Sequence, residues 1–237
     1  MSLFGVISRR PVHLQSASSE RGWGFVIQQA SRKWSKSFER GGEAALAVHL
    51  ISSEWALFDT ANPSSSPGGE MTGDLFLAAS TPGASTHGAC MLHASPWHFA
   101  YEGTIADCEA LRHALDPNWV LRDELPCTAG QLIFAHLMTL LGKGGAAFTS
   151  DVAMAKAASN LHRARLLGSA AFLCADGMNL YAYSLGGGLL FKNVSDAILV
   201  GSPDVIDAGP ATRPLQDGAL VALAKRPQLG WAVLAHP

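Results

Sequence analysis

Trp97-His98-Phe99-Ala100-Tyr101-Glu102-Gly103-Thr104-Ile105 is the stretch at which the chain passes from strands to helices. Trp97 to Ala100 reads as a short strand of aromatic and small residues. Thr104-Ile105-Ala106-Asp107 then leads into a helix over Asp107 to Leu115. Upstream, Gly22 to Gln29, Ala44 to Leu50, Trp55 to Thr60 and Leu75 to Ala79 read as strands between turn signals. The turn-rich Asn62 to Gly69 is too short to separate domains.

Downstream, Thr128 to Leu141 carries Leu132, Ile133, Ala135, His136, Leu137, Leu140 and Leu141, a broad apolar face at helical spacing. Ser150 or Asp151 caps a third helix to about Leu166, with Val152, Met154, Ala155, Ala158 and Leu161 available to pack. Gly142 and Gly168 read as the stops of these two helices. Strands then return at Ala170 to Cys174, Leu180 to Ser184, Leu189 to Lys192, Ala197 to Gly201, Ala219 to Ala224 and Trp231 to Leu234. Asp176-Gly177 marks the first hairpin among them, and Gly186-Gly187-Gly188 reads as another hairpin turn. Strands, then helices, then strands predict an α+β fold with helices layered over antiparallel sheets, as one domain over 1–237.

Composition narrows the function classes. The 237 residues are 48% hydrophobic and only 15% charged, which excludes disorder and suits a partner-covered surface. A net charge of −2 gives no overall basic footprint for nucleic acid. No apolar run has the length of a spanning helix, and charges follow rather than precede the first apolar run, so neither membrane nor secretory signal is expected. Cys90, Cys108, Cys127 and Cys174 lie far apart without a Cys-x-x-Cys pair, which fits a reducing cytoplasm. Residues 1–40 hold seven Lys/Arg against two acids, and residues 41–237 hold ten against seventeen. The basic run Ser31 to Lys36 reads as a solvated loop between strands.

In order along the chain, several fragments resemble the glutaminase domain of class II glutamine amidotransferases, specifically the stand-alone branch that also contains γ-glutamyl amide hydrolases. Leu3-Phe4-Gly5-Val6-Ile7 is similar to the opening strand, Gly22-Trp23-Gly24 to the Gly-Trp-Gly element, and Phe76-Leu77-Ala78 to the start of the Ala-His-Val-Arg strand. Trp97 to Ile105 resembles Trp-x-Phe-Ala-His-Asn-Gly-Thr-Ile, and Thr128 to Leu141 falls where a Ser/Thr-Asp-x-Glu motif opens a helix. Leu180 to Tyr183 and Ala197 to Ser202 match later strands. The resemblance implies the four-layer αββα sandwich of N-terminal-nucleophile hydrolases. It also implies a nucleophilic N-terminal Cys, an Asn and the following Gly N–H as oxyanion donors, an Arg for the substrate α-carboxylate and an Asp for its α-ammonium.

This chain departs at each of those positions. Met1 stands at the nucleophile with Ser2 one place beyond, Thr81 replaces the Arg, Glu102 replaces the oxyanion Asn before Gly103, and the Asp falls at Ala129. A scaffold kept while these residues change together implies a pseudoenzyme that binds a protein partner or small ligand in the vestigial cleft. The alternative is a divergent amide hydrolase that uses Ser2 as nucleophile and Gly103 N–H for the oxyanion.

Other constellations read as structural. His87, Cys90, His93 and His98 offer zinc-type ligands at loose spacing, and read as a loop with a half-buried His. Cys108 and His113 are five apart on one helix, read as core and surface respectively. Gly142-Lys143-Gly144-Gly145 lacks the phosphate-cradling pattern. Glu102 and Asp107 form a potential acid/base pair, read instead as a site remnant and a helix-start residue. No metal and no cofactor are expected. A homodimer through an apolar sheet edge or helix face is the expected assembly.

Overall fold

The computed structural model describes residues 2–19, 22–29, 32–39, 44–50, 70–82, 90–94, 96–113, 129–144, 150–163, 167–186, 188–194, 196–224 and 229–235. Met1, Trp55 to Thr60, Asn62 to Gly69 and His87 lie outside these residues. Strand β1 (Ser2–Ser19) shows how the sequence sets the layers. Side chains alternate along a strand. Leu3 and Ile7 face the second sheet, while Phe4 and Val6 face the other way, and all four are buried. Around these residues the first sheet is therefore covered on both faces.

Over its first half β1 lies between β11 (Ala197–Gly201) and β5 (Glu70–Pro82), with Phe4 opposite both Gly201 and Ala78. Beyond an irregularity between Ile7 and Val12 it pairs with β2 (Gly22–Gln29), which pairs with β3 (Arg32–Glu39). β4 (Ala44–Leu50) flanks β5, and β10 (Leu190–Val194) and β12 (Thr212–Pro214) continue past β11, giving eight strands in this sheet among the described residues. Among the described residues, the second sheet runs in the order β14 (Gly230–Ala235), β13 (Leu220–Ala224), β9 (Asn179–Leu185), β8 (Leu167–Ala175), β7 (Trp97–Ile105) and β6 (Cys90–Ala94).

Two apolar layers hold the sandwich together. Leu3, Ile7, Leu75, Leu77 and Val200 of the first sheet meet Leu173, Leu180 and Leu223 of the second. Gly5 lets the sheets close here: a Cβ on it would sit 3.0 Å from Leu180 Cδ2 and 3.2 Å from Leu173 Cδ1. On the far face of the second sheet lie α1 (Cys108–His113), α2 (Ala129–Gly144) and α3 (Ser150–Arg163). Phe99 stacks on Phe134 of α2 at 5.2 Å, and Phe172 on Tyr183 at 5.1 Å. Burial of each such side chain contributes about 1.5–3 kcal/mol. Two packed antiparallel sheets with helices make the α+β sandwich that the resemblance implies.

Several local expectations are corrected. The basic run is not a loop: Arg32 to Lys36 belong to β3, whose backbone pairs with β2 along its whole length, and that pairing sets its conformation. Gly142 does not stop α2, which continues to Gly144; an added Cβ on Gly142 meets nothing within 4 Å, so no packing or positive φ singles it out. Gly168 lies inside β8, where a Cβ would come within 2.6 Å of Thr104 Oγ1; close strand approach, not helix termination, asks for glycine there. Gly186 and Gly188, at φ +71° and +52°, carry the chain from β9 in one sheet to β10 in the other, so the turn is not a hairpin. Cys90 and His93 lie in β6 rather than in a loop. Cys108 is exposed rather than core, because α1 presents Leu111 to the interior. Val152 is exposed on α3, whose buried face runs through Met154, Ala157, Ala158 and Leu161. Neither Ser150 nor Asp151 precedes α3 as a cap: both lie in its first turn, where Tyr181 Oη donates to the Asp151 carboxylate at 2.7 Å.

Candidate functional site

The site forms where β7 stops being regular. Tyr101 faces the helices and Glu102, by alternation, faces the space between the sheets. Gly103 follows at φ +132°, and the pairing with β8 shifts between Gly103 and Ile105. A Cβ on Gly103 would lie 2.2 Å from Ser169 O and 2.6 Å from Ala170 Cα. Only glycine fits, and this bulge aims Glu102 into the cleft.

The opposite wall is built at the end of β11. Gly201 lies so close to Leu3 that a Cβ on it would be 2.6 Å from Leu3 O. Ser202 N donates to Leu3 O at 3.0 Å, and Leu3 N donates to Ser202 Oγ at 2.9 Å. Ser202 Oγ in turn donates to Glu102 Oε2 at 3.1 Å, so one buried hydroxyl joins the first strand to the carboxylate of the second sheet. Ser202 O accepts from Val205 N and Ile206 N at 2.9 and 3.0 Å, which fixes the turn carrying Asp204.

Between these walls is a cleft of about 320 Å³. Glu102 and Asp204 bring carboxylates to it, Ser169 and Ser202 hydroxyls, and Ala170, Ala171, Leu189 and Pro203 an apolar side; the described lining residues include no Lys, Arg or His. Burial pushes the Glu102 carboxyl above the ordinary range. The positive charge of the chain's amino terminus and the Ser202 hydrogen bond pull it back, Asp204 pushes it further up, and the net direction is upward.

Of the residues singled out from the sequence, the structure brings Glu102 and Gly103 to this cleft. The backbone of Ser2 begins β1 opposite Ser80, next to the Leu3 held by Ser202. Thr81 follows Ser80 in β5 and pairs with Ala45 of β4. Ala129 opens α2, half-buried against the helix-side core, and does not line the cleft. Asp107 accepts from Ala110 N at 2.9 Å, so it caps α1. In the pairing of β6 with β7, His93 lies opposite His98 and Cys90 opposite Tyr101. Among the described residues, no three metal-ligating side chains gather.

Sequence reasoning missed Ser169, Ser202 and Asp204. The signal for two of them was present in Gly201-Ser202-Pro203-Asp204, a turn cluster directly after a strand of the resemblance.

No family model and no curated protein matches the chain. Solved structures do. A glutamine aminotransferase class-II domain protein from Silicibacter pomeroyi is 16% identical with a TM-score of 0.60, covering 98% of each chain. A predicted glutamine amidotransferase from Pseudomonas aeruginosa PA01 is 13% identical with a TM-score of 0.60 and complete coverage of both. Glutamine phosphoribosylpyrophosphate amidotransferase from B. subtilis, complexed with ADP and GMP, is 13% identical with a TM-score of 0.62; the match spans all of this chain and 50% of that one. The chain thus has the fold of class II glutamine amidotransferase domains, an N-terminal-nucleophile hydrolase-type sandwich. Among the described residues no helix is long and apolar enough to cross a membrane.

Proposed function

We propose that this chain is a glutamine amidotransferase-like protein that has lost glutaminase activity and holds a small ligand or a partner in the cleft between its sheets. One observation carries the reading. At the position where the resemblance expects the oxyanion-holding Asn, the Glu102 carboxylate lines the cleft, tethered by Ser202. Attack on an amide develops negative charge on the carbonyl oxygen, and removing one donor costs about 100- to 1,000-fold in rate. A carboxylate at that place repels the charge as well. Thr81 in place of the Arg also leaves the α-carboxylate of glutamine without its counter-charge.

The second reading, amide hydrolysis through Ser2, draws support from the link of Leu3 N through Ser202 to Glu102, which ties the start of β1 to the cleft. One experiment separates the two. A diazoketone analogue of glutamine alkylates an active N-terminal nucleophile of this fold. We expect the intact mass of the purified chain to be unchanged after incubation with it. A stoichiometric adduct on Ser2, with Met1 absent, would establish the hydrolase reading instead.

A further inference from the structure

We propose that β14 is a self-pairing edge, along which two copies of this chain join antiparallel with Ala232 opposite Ala232, so that their second sheets become one across a two-fold axis. The inference goes beyond the reading of the cleft and does not depend on it.

The backbone gives the first reason. β14 ends the second sheet: β13 pairs with it on one side, and no described strand pairs with it on the other. The outer N–H and C=O groups of such an edge are a template for another strand. Gly230-Trp231-Ala232-Val233-Leu234-Ala235 carries no charged side chain and no Pro, the residues that keep an edge from pairing. Its irregularity against β13 falls past Val233, which leaves residues 230–233 in regular register.

The side chains give the second. Trp231 lies opposite Leu223 and Val233 opposite Val221, so both extend the apolar row that packs between the two sheets. Leu223 and Val221 are buried, yet Trp231 is 40% and Val233 39% exposed. Among the described residues the other exposed large hydrophobic side chains are Val152 and Met178, so this one strand holds half of them. The Trp231 ring rests against Phe191 of β10, with centroids 5.1 Å apart. The inter-sheet core therefore runs out to solvent at β14.

A second copy is the occupant that suits this edge. Directly opposite residues of an antiparallel pair share a face of the sheet. With Ala232 opposite Ala232, Trp231 of each copy meets Val233 of the other, an aromatic–β-branched pair made twice. The two-fold arrangement uses the same edge on both copies and leaves neither open, so the assembly closes as a dimer. One strand pair falls short of the roughly 1,200–2,000 Å² of a stable interface. Helix α3 packs on β14 and so lines the same edge in each copy, adding its surface to the contact.

The test is sedimentation of the full chain across micromolar concentrations, with amide hydrogen exchange followed on the same samples. We expect a dimer, and faster exchange of the β14 amides as dilution releases the monomer. Val233→Lys sets a charge in each half of the seam and should weaken self-association at least about tenfold. A chain that stays monomeric throughout overturns the inference. So does a dimer in which dilution to the monomer leaves exchange of the β14 amides unchanged, since its contact then lies elsewhere. If Val233→Lys folds and dimerises as the unaltered chain does, the inference also fails; if it does not fold, the exchange comparison in the unaltered chain decides alone.

Discussion

Glu102 is a carboxylate held partly out of water. Its folded-state pKa lies above that of an unfolded Glu, so between the two values the folded chain binds more protons. Stability from this group is therefore fully present below the unfolded pKa and is lost as pH rises through the folded one. The groups acting on it are Ser202, Asp204 and the amino-terminal charge. We expect the Tm of the wild type to fall, relative to Glu102→Gln, as pH is raised from about 4.5 upward, with the difference levelling once Glu102 is ionised; parallel profiles would contradict this. Gly103 makes the complementary point. Its φ of +132° and the 2.2 Å approach to Ser169 O leave no room for a Cβ, so Gly103→Ala should destabilise by at least about 2 kcal/mol in urea unfolding. Neither effect is legible in composition. The substitution of Glu102 stood out only against the motif around it, and the geometry that makes it matter belongs to residues far away in sequence.

At the scale of elements, the hairpin between β8 and β9 was legible because Asp176-Gly177 carries its own instructions. Gly177 sits at φ +88°, and Asp176 Oδ1 accepts from Met178 N at 3.0 Å and Asn179 N at 2.8 Å. Helix α3 is fastened to this hairpin strand by the hydrogen bond from Tyr181 Oη to Asp151 Oδ1. Burial, the nearby Asp176 and the bond to Asp151 all push the Tyr181 hydroxyl well above its ordinary range, so it remains a donor throughout the working pH range. Tyr181→Phe removes the short bond to Asp151 together with the longer contacts to Asn179 Nδ2 at 3.3 Å and Asp176 Oδ2 at 3.5 Å, and should lower stability by about 1.5–3 kcal/mol, measured by chemical unfolding. A smaller loss with unchanged protection of α3 in hydrogen exchange would show that packing alone secures the helix. The elements that the sequence hid share a cause. β3 and β6 are rich in charged or metal-type side chains, and pairing with a neighbour, not their own pattern, makes them strands. Gly142 carries a stop signal that α2 overrides by packing Leu137, Met138 and Leu141.

At the scale of the whole molecule, the two-sheet sandwich was legible from the order of strand and helix segments together with the resemblance, and the solved structures share it over nearly the whole chain. Its cleft was legible only in half: β7 announced Glu102 and Gly103, while Ser202 and Asp204 reach it from the turn after β11 of the other sheet, a juxtaposition made by the packing of the two sheets. Whether the fold has parted from its chemistry is tested most directly by ammonia release from glutamine, followed with the purified chain across pH 5 to 8 and compared with a buffer control. The account predicts no release above that control at any pH. Turnover that scales with the concentration of the chain would contradict it.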